Sequence, residues 1–330
     1  MDSEFNPISY ILSEERTDIY FRYARDILLE EGLDPVVVME VFPGRDGLLC
    51  GIQEVEEILK GVVGSEGEIW TLEEGASIRA KEVVLRIKAR YSRFGIYETA
   101  IMGTLAHESG WATAARRCVE ATNGIPVISF GARHVHPEVS ARMEYAAIVG
   151  GCVGCATPAG AALAGQAALG TMSHAMILIY GDTVDAVQAF DRHMPEDVRR
   201  IALVDTFKDE VEESLRVARA LGDRLWGVRL DTPSQRGRVT PDLVKEVRAH
   251  LDQAGYDYVK IVVSGGLDAE RIRLFVERGA PVNSFGVGSA ISGAPPIDFT
   301  GDLKMVDGRP IAKRGRIPGI VDNPRLKRIV

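Results

Sequence analysis

Apolar and polar residues are spaced differently in the two parts of this chain, and the difference predicts two kinds of architecture. Up to about residue 97, amphipathic segments such as TDIYFRYARDILLEEG stand beside the strand PVVVMEVFP and the alternating pattern of residues 68–95. This mixture, with a sheet half exposed on one face, is typical of an α+β domain. From Ile125 onward, short β-branched runs alternate with helical stretches, which is the pattern of a parallel sheet or barrel.

Seven short apolar runs in the second part predict strands, and helical stretches lie between them. The runs are PVISFG, GCVGCAT, TMSHAMI, IALVDTF, LWGVRLD, YVKIVVSGG and NSFGVGS. They make about seven β/α units, one fewer than a regular eightfold barrel contains. We therefore expect an α/β protein with an irregular, incomplete (β/α) barrel of about seven strands.

The segments that flank the barrel predict how the first domain is built. A long helical stretch, YETAIMGTLAHESGWATAARRCVEATNG, is expected to connect the two parts. The tail FTGDLKMVDGRPIAKRGRIPG has alternating runs around Asp307-Gly308, which predicts a hairpin that returns to the N-terminal sheet. We accordingly expect a sandwich-like α+β domain at residues 1–124 and 295–330, and the barrel at residues 125–294.

Two glycine turns late in the chain predict a phosphate site. Ser264-Gly265-Gly266 ends one predicted strand, and Gly286-Val287-Gly288-Ser289 ends the next. Glycines allow backbone N–H groups to approach a phosphate without a Cβ in the way. In (β/α) barrels, the loops after the last two strands commonly bind phosphate.

Polar side chains at the other predicted strand ends complete a candidate site, because barrel active sites are built at the carboxyl ends of the strands. Arg229 and Asp231 share one strand face, so both can point into one cavity. His174 lies in an apolar context, and on residue reasoning alone it is more often a core histidine than a catalytic one. The predicted ring consists of Arg133, His134, Ser173, His174, Asp205, Thr206, Arg229 and Asp231, together with the two glycine turns.

Composition narrows the class of protein. The net charge of −8 and the absence of a basic run argue against nucleic acid as a partner. The N-terminus has no signal-peptide pattern and no stretch predicts a membrane span, so we expect a cytoplasmic protein. Four cysteines are too few for a disulfide scaffold. We expect a structural role for Cys152 and Cys155, with one thiol facing inward and one outward on a strand.

A series of motifs brings these features together: GTMSHAMI, ALVDTF, GVRLDTPS, VSGGLD and SFGVGS, preceded by TDIYFRYA and ISFGARHVHPE. In this order they resemble the motifs of nicotinate phosphoribosyltransferases over nearly the whole chain. The resemblance implies a type II phosphoribosyltransferase fold and at least a homodimer with the active site at the subunit interface. It also implies transfer of phosphoribose from phosphoribosyl pyrophosphate to nicotinate in NAD salvage. Mg²⁺ and ATP hydrolysis would assist the reaction.

The same resemblance implies roles for individual residues. Arg133 would bind the nicotinate carboxylate with His134 nearby, and Tyr20 of a neighbouring subunit would stack on the pyridine ring. ATP would phosphorylate His174. Asp205, Arg229 and Asp231 would face ribose and pyrophosphate, with Mg²⁺ carried by pyrophosphate rather than held by protein alone. The remaining substrate-binding positions would be Ser173, Thr206, Ser264, Gly265, Gly266, Gly286, Val287, Gly288 and Ser289, with the glycine turns around the 5-phosphate.

Three alternatives remain open. Quinolinate phosphoribosyltransferase needs several basic residues in its acid pocket, and only Arg133, His134 and His136 are candidates here. A phosphate-binding barrel lyase or isomerase would need a reactive lysine or an acid/base pair at a strand end, and Lys260 is the single lysine inside a predicted barrel strand. A non-catalytic, ligand-sensing relative would have lost a residue of the ring, and none is missing.

Overall fold

The computed structural model describes residues 13–330 of the chain. The N-terminal segment in which we expected no signal peptide lies mostly outside the described residues. The chain divides into two compact units, and the division falls at Thr113–Ala114 and again at Ala294–Pro295. Each unit is described below by itself.

The first unit is built on a six-stranded antiparallel sheet in the order β13-β12-β1-β5-β3-β14, beside a two-stranded ribbon of β2 and β4. Its strands are β1 (Val36–Pro43), β2 (Gly47–Leu48), β3 (Glu68–Thr71), β4 (Ser77–Ile78), β5 (Leu85–Arg90), β12 (Phe299–Val306), β13 (Arg309–Pro310) and β14 (Lys327–Arg328). Its helices are α1 (Ile19–Glu30), α2 (Ile52–Val63), α3 (Tyr91–Phe94) and the first part of α4 (Glu98–Glu120).

The central strand β1 explains why the C-terminal tail belongs to this sheet. Met39 and Val41 pack into the apolar core of the unit. On the opposite face Glu40 is fully buried, where it accepts hydrogen bonds from Arg86 Nε at 2.8 Å and from the backbone N–H of Val321 at 3.2 Å. The predicted return of the tail to the N-terminal sheet is confirmed by the pairing of β1 with β12.

The second unit is a curled, six-stranded parallel half-barrel in the order β7-β6-β11-β10-β9-β8. Its strands are β6 (Val127–Ser129), β7 (Gly154–Cys155), β8 (Arg200–Leu203), β9 (Leu225–Leu230), β10 (Lys260–Val263) and β11 (Ser284–Val287). Its helices are the end of α4, α5 (Pro137–Val149), α6 (Pro158–Leu163), α7 (His174–Tyr180), α8 (Thr183–His193), α9 (Glu210–Leu221), α10 (Pro241–Gln253), α11 (Ala269–Glu277) and α12 (Ser289–Ser292). The predicted incomplete barrel is confirmed.

One predicted strand is wrong, which is why the sheet has six strands rather than about seven. TMSHAMI forms no strand, and α7 begins within it at His174. The Ser173 hydroxyl caps this helix by accepting from Met176 N at 3.2 Å, and Gly181 ends it in a left-handed conformation. A short apolar run is equally compatible with a strand and with a buried helix, so its periodicity could not decide between them.

All four cysteines are free and buried. Burial raises the pKa of Cys152 well above its usual range and that of Cys155 to about 12, so neither thiol is a ready nucleophile. The expectation that one thiol faces outward is wrong, because only Cys155 lies in a strand and both side chains are covered. None of the helices in residues 13–330 has the length and apolar character that crossing a bilayer requires.

Candidate active site

The carboxyl ends of the parallel strands place most of the predicted residues in loops of the second unit. Arg133 and His134 lie in a 3₁₀ turn after β6, and Asp205 and Thr206 follow β8. Arg229 lies in β9 and Asp231 directly after it. The glycine turns follow β10 and end β11, with Val287 buried in that strand and Ser289 at the start of α12. Lys260 is the first residue of β10, and therefore lies at the opposite end of the strand from this ring.

Arg229 is the centre of a hydrogen-bonded network at this edge. Its Nε donates to Ser264 Oγ at 2.8 Å, its Nη1 to Thr171 Oγ1 at 3.0 Å, and its Nη2 to Asp231 Oδ2 at 2.9 Å. Ser264 Oγ in turn donates to the other oxygen of Asp231 at 2.8 Å. Every atom of the guanidinium that can donate is engaged, yet two of its five N–H groups remain for a ligand. The prediction that Arg229 and Asp231 share a face is confirmed.

Phe130, directly after β6, supports this arginine. The guanidinium carbon of Arg229 lies 5.1 Å from the centre of the Phe130 ring, which is cation–π distance. Gly286 packs against the same ring so closely that a Cβ at this position would overlap it. The glycine of the second turn is therefore required by packing as well as by any ligand.

The first glycine turn adopts backbone angles that favour glycine. Gly265 and Gly266 have φ values of +91° and +63°. A Cβ on Gly265 would lie 2.9 Å from Asp231 Oδ1. Among the described residues, no acceptor receives a hydrogen bond from the backbone N–H of Gly265, Gly266 or Gly288. These three donors are free to bind an anion.

His174 and Asp205 form a second polar pair. His174 Nε2 lies 3.0 Å from Asp205 Oδ2, although His174 begins a helix and not, as predicted, a strand end. Asp205 is 9% exposed. Burial raises the pKa of Asp205, and the hydrogen bond with His174 opposes that rise in part. The negative charge of Asp231 raises it further, so the two carboxylates are electrostatically coupled.

Two buried oxygens in this pair's surroundings lack a protein partner. Asp205 Oδ1 and Thr206 Oγ1 are both covered and form no hydrogen bond with the described residues. No group of three His, Cys, Asp or Glu side chains that could hold a metal ion occurs within residues 13–330. One or two carboxylates suit Mg²⁺ that is also bound by phosphate oxygens, since Mg²⁺ rarely needs an all-protein cage.

The remaining predicted residues are exposed. Arg133 and His134 point out of their turn, and the His134 ring lies beside Gly288, 3.1 Å from where a Cβ would be. His136 instead caps α5, because its Nδ1 accepts from the backbone N–H of Glu138 at 3.3 Å. Tyr20 is 58% exposed on α1 of the first unit.

Sequence reasoning missed three side chains that the structure brings to the site: Phe130, Thr171 and Arg238. Phe130 and Thr171 stand in motifs that drew attention to their neighbours, and both reach Arg229. Arg238 donates from Nη1 to the Gly266 carbonyl at 3.3 Å. In the sequence it stands between Gly237 and the helix that begins at Pro241, and this position predicts no such contact.

Models of known protein families match the sequences of both units. The family model for the N-terminal domain of quinolinate phosphoribosyl transferase matches residues 18–109, and that for the C-terminal domain matches residues 111–302. Nicotinate phosphoribosyltransferase pncB2 of Mycobacterium tuberculosis is 30% identical over 307 residues, which cover 88% of this chain and 65% of the relative. Nicotinate phosphoribosyltransferase of Bacillus subtilis is 27% identical, and the match covers 67% of this chain and 45% of the relative. The chain thus spans less than two thirds of the length of these relatives.

Solved structures show the same architecture. The crystal structure of nicotinate-nucleotide pyrophosphorylase from Pyrococcus furiosus is 43% identical, has a TM-score of 0.88, and covers 97% of this chain and 82% of its own. Human nicotinic acid phosphoribosyltransferase is 18% identical with a TM-score of 0.74, covering 92% of this chain and 77% of its own. At that identity, the human structure supports the fold alone.

Proposed function

Because the chain belongs to the quinolinate and nicotinate phosphoribosyltransferase family, we propose that it transfers phosphoribose from phosphoribosyl pyrophosphate to nicotinate. The products would be nicotinate mononucleotide and pyrophosphate, in NAD salvage. One observation carries this proposal: the Arg229 network stands beside three free backbone N–H groups, those of Gly265, Gly266 and Gly288. Together they offer two anion sites at the carboxyl edge of the parallel sheet, as a sugar with phosphate groups at both ends requires.

The chemistry of the reaction explains why such residues suffice. Cleavage at the anomeric carbon builds positive charge on ribose and negative charge on the departing pyrophosphate, while the nicotinate ring nitrogen is itself the nucleophile. The protein therefore needs anchors at both ends and cations at the leaving group more than a strong nucleophile. Arg229 supplies the cation, and Asp231 and Asp205 face the ribose and the developing charge.

Mg²⁺ fits the proposed site through the partnerless oxygen of Asp205 and the nearby Asp231. Bound together with pyrophosphate, the ion would stabilise the leaving group. The two carboxylates would hold it from the protein side, and the electrostatic repulsion between them favours binding of a cation.

His174 is our candidate for ATP coupling. With Asp205 as the acceptor, Nε2 of His174 would carry a proton and Nδ1 would keep a lone pair. That lone pair would attack the γ-phosphorus of ATP, forming an N–P bond as the bond to ADP breaks. Water would later hydrolyse the phosphohistidine, which couples ATP hydrolysis to transfer. Ser173, whose oxygen also caps α7, would bind a phosphate beside it.

The acid end would be formed by Arg133, with His134 beside it, and by Tyr20 of a second copy. The α1 helix exposes an apolar face that includes Ile19, Tyr20, Tyr23 and Ile27. Large exposed apolar patches mark interaction surfaces, and a second copy of this chain is the partner we propose for it. Tyr20 would then stack on the pyridine ring in its neighbour's site.

Quinolinate is the second candidate substrate, because both matching family models are of quinolinate phosphoribosyl transferase. Quinolinate carries a second carboxylate, and its reaction releases CO₂. With His136 engaged as a helix cap, the acid end has Arg133 and His134 as its candidate cations. Two candidate cations favour nicotinate, which has one carboxylate, over quinolinate, which has two.

A single assay tests the proposal. The protein is incubated with phosphoribosyl pyrophosphate and Mg²⁺, and nicotinate, nicotinamide and quinolinate are offered in parallel, with and without ATP. We expect nicotinate mononucleotide from nicotinate, faster with ATP. Product from quinolinate alone would establish the second candidate, and no mononucleotide from any acceptor would refute both.

A further inference from the structure

Arg238 lies against the first glycine turn although it belongs to another loop. It follows β9 by several residues, and its Nη1 donates to the carbonyl of Gly266 at 3.3 Å. The guanidinium occupies the space that a Cβ on Gly266 would need. The absence of a side chain on Gly266 therefore leaves room for the Arg238 guanidinium, and a larger residue there would displace it.

The backbone fixes Arg238 in that position. Gly237 and Arg238 both have positive φ, +86° and +65°. The backbone N–H of Arg238 donates to Pro233 O at 3.1 Å, and the next residue, Val239, is 1% exposed. A left-handed conformation is uncommon for a residue with a Cβ and persists where the surroundings enforce it. The loop is thus held so that the side chain projects over the glycine turn.

A second arginine stands beside the first. Arg271, in the first turn of α11, donates from Nη2 to the carbonyl of Val239 at 3.1 Å. Its Nε is buried without a hydrogen-bond partner among the described residues. Burial lowers the pKa of Arg271, and the positive charge of Arg238 lowers it further. The two guanidiniums therefore repel each other.

No carboxylate relieves this repulsion by direct contact. Within residues 13–330, neither Arg238 nor Arg271 forms an ion pair with Asp or Glu, although the charge of Asp268 acts on Arg271 from nearby. Other arginines of this unit do have such partners, for example Arg236 with Glu210 and Arg216 with Asp182. Two adjacent cations beside free backbone N–H groups are suited to a polyanionic ligand.

We propose that Arg238 binds the 5-phosphate of phosphoribosyl pyrophosphate, as the charged donor of a cradle whose other donors are the backbone N–H groups of the glycine turns. This inference rests on the proposed function and names a binding residue for it. One of the five N–H groups of the Arg238 guanidinium donates to Gly266 O, and the other four can donate to a phosphate. Arg271 positions it by bracing the adjacent carbonyl of Val239 and adds positive potential.

The left-handed backbone supplies a clean test. Glycine and asparagine accept positive φ, so Arg238→Gly and Arg238→Asn remove the cation without opposing the loop conformation. Arg238→Lys keeps the charge but loses the planar fork. Arg273→Asn is the matched control, because it removes an exposed arginine from the same neighbourhood in α11. Binding of ribose 5-phosphate and of pyrophosphate with Mg²⁺ is measured separately by calorimetry on each purified protein.

We expect both neutral variants to bind ribose 5-phosphate at least about tenfold more weakly than the wild type, because a charge-assisted hydrogen bond is lost. Pyrophosphate binding should stay within about twofold, Arg238→Lys should recover part of the loss, and Arg273→Asn should match the wild type. Unchanged ribose 5-phosphate affinity in both neutral variants, or an equal loss for both ligands, would overturn the inference alone. If the wild type binds neither ligand, the proposed function itself fails.

Discussion

His174 Nε2 and Asp205 Oδ2 lie 3.0 Å apart, with the Asp205 side chain almost wholly buried and that of His174 40% exposed. The buried carboxylate of Asp205 thus orients the partly exposed imidazole of His174. This arrangement suits the role that we propose for His174, in which it would accept a phosphoryl group from ATP.

Replacement of His174 should separate ATP coupling from transfer. In His174→Ala we expect ATP stimulation to disappear while slow transfer continues, since the anion sites are intact. Asp205→Asn should weaken the stimulation by roughly 10- to 100-fold, the effect of losing one hydrogen bond to a charged group. Initial rates with and without ATP measure both. Persistent stimulation in His174→Ala would exclude the phosphohistidine.

Arg229 should not tolerate lysine. Its three nitrogens bind three different side chains, and a single ammonium cannot reproduce that fork. We expect Arg229→Lys and Arg229→Ala each to lower kcat/KM by roughly 100-fold or more. Steady-state kinetics with varied phosphoribosyl pyrophosphate gives the comparison. A lysine variant with more than half of the wild-type kcat/KM would contradict the proposed role.

Arg133→Ala should chiefly impair use of the acid. Loss of a carboxylate-binding arginine costs about 2–3 kcal/mol, so the KM for nicotinate should rise about 30-fold or more. The KM for phosphoribosyl pyrophosphate should change little. His136→Ala is the control, because His136 caps a helix and should affect stability more than nicotinate use. An unchanged nicotinate KM in Arg133→Ala would refute the assignment.

Gly286→Ala tests the packing beneath Arg229. The added methyl overlaps the Phe130 ring, so we expect a loss of about 1–3 kcal/mol in the free energy of unfolding. Phe130→Leu in the same chain should restore part of it, which a double-mutant cycle in chemical denaturation would measure.

Gly61→Ala gives the contrast, since nothing lies within 4 Å of its Cβ position in α2. There alanine should stabilise the helix by about 0.5–1 kcal/mol. Equal effects at the two glycines would show that contact with Phe130 is unimportant.

Stability of the first unit should depend on pH through Glu98. Burial raises the pKa of this carboxyl from its usual 4.5 to about 7, while a 3.3 Å hydrogen bond from Tyr91 opposes the rise. The folded chain then binds more protons than the unfolded chain between these values. The free energy of unfolding should therefore fall as pH rises from about 4.5 to 7, by at most about 3 kcal/mol, and change no further through this group.

Glu98→Gln should abolish that decline and be more stable than the wild type above pH 7. Glu57→Gln, at an exposed position of α2, should retain the wild-type profile. The free energy of unfolding of each protein is measured by denaturant titration at a series of pH values. The same decline in wild type and Glu98→Gln would exclude this group as its source.

The sequence pattern predicted those structural features that depend on residues close together in the chain. Arg229 and Asp231 share a face because residues two apart in a strand must do so, and the hairpin at Asp307-Gly308 followed from turn chemistry. His174 was placed on a strand because seven residues of apolar sequence do not distinguish helix from strand. Arg238 over Gly266 joins two loops 28 residues apart, and no periodicity encodes such a contact.

The pairing of β1 with β12 has a consequence for the order in which the protein can assemble. A ribosome delivers β1 early, but its partner emerges only after the entire half-barrel has been synthesised. The half-barrel is one continuous segment and can close as soon as it is complete. Until then, β1 has one edge unpaired, open to strands of other nascent chains. The two-part sheet thus places the risk of aggregation during synthesis in the first unit, and residues 295–330 remove it.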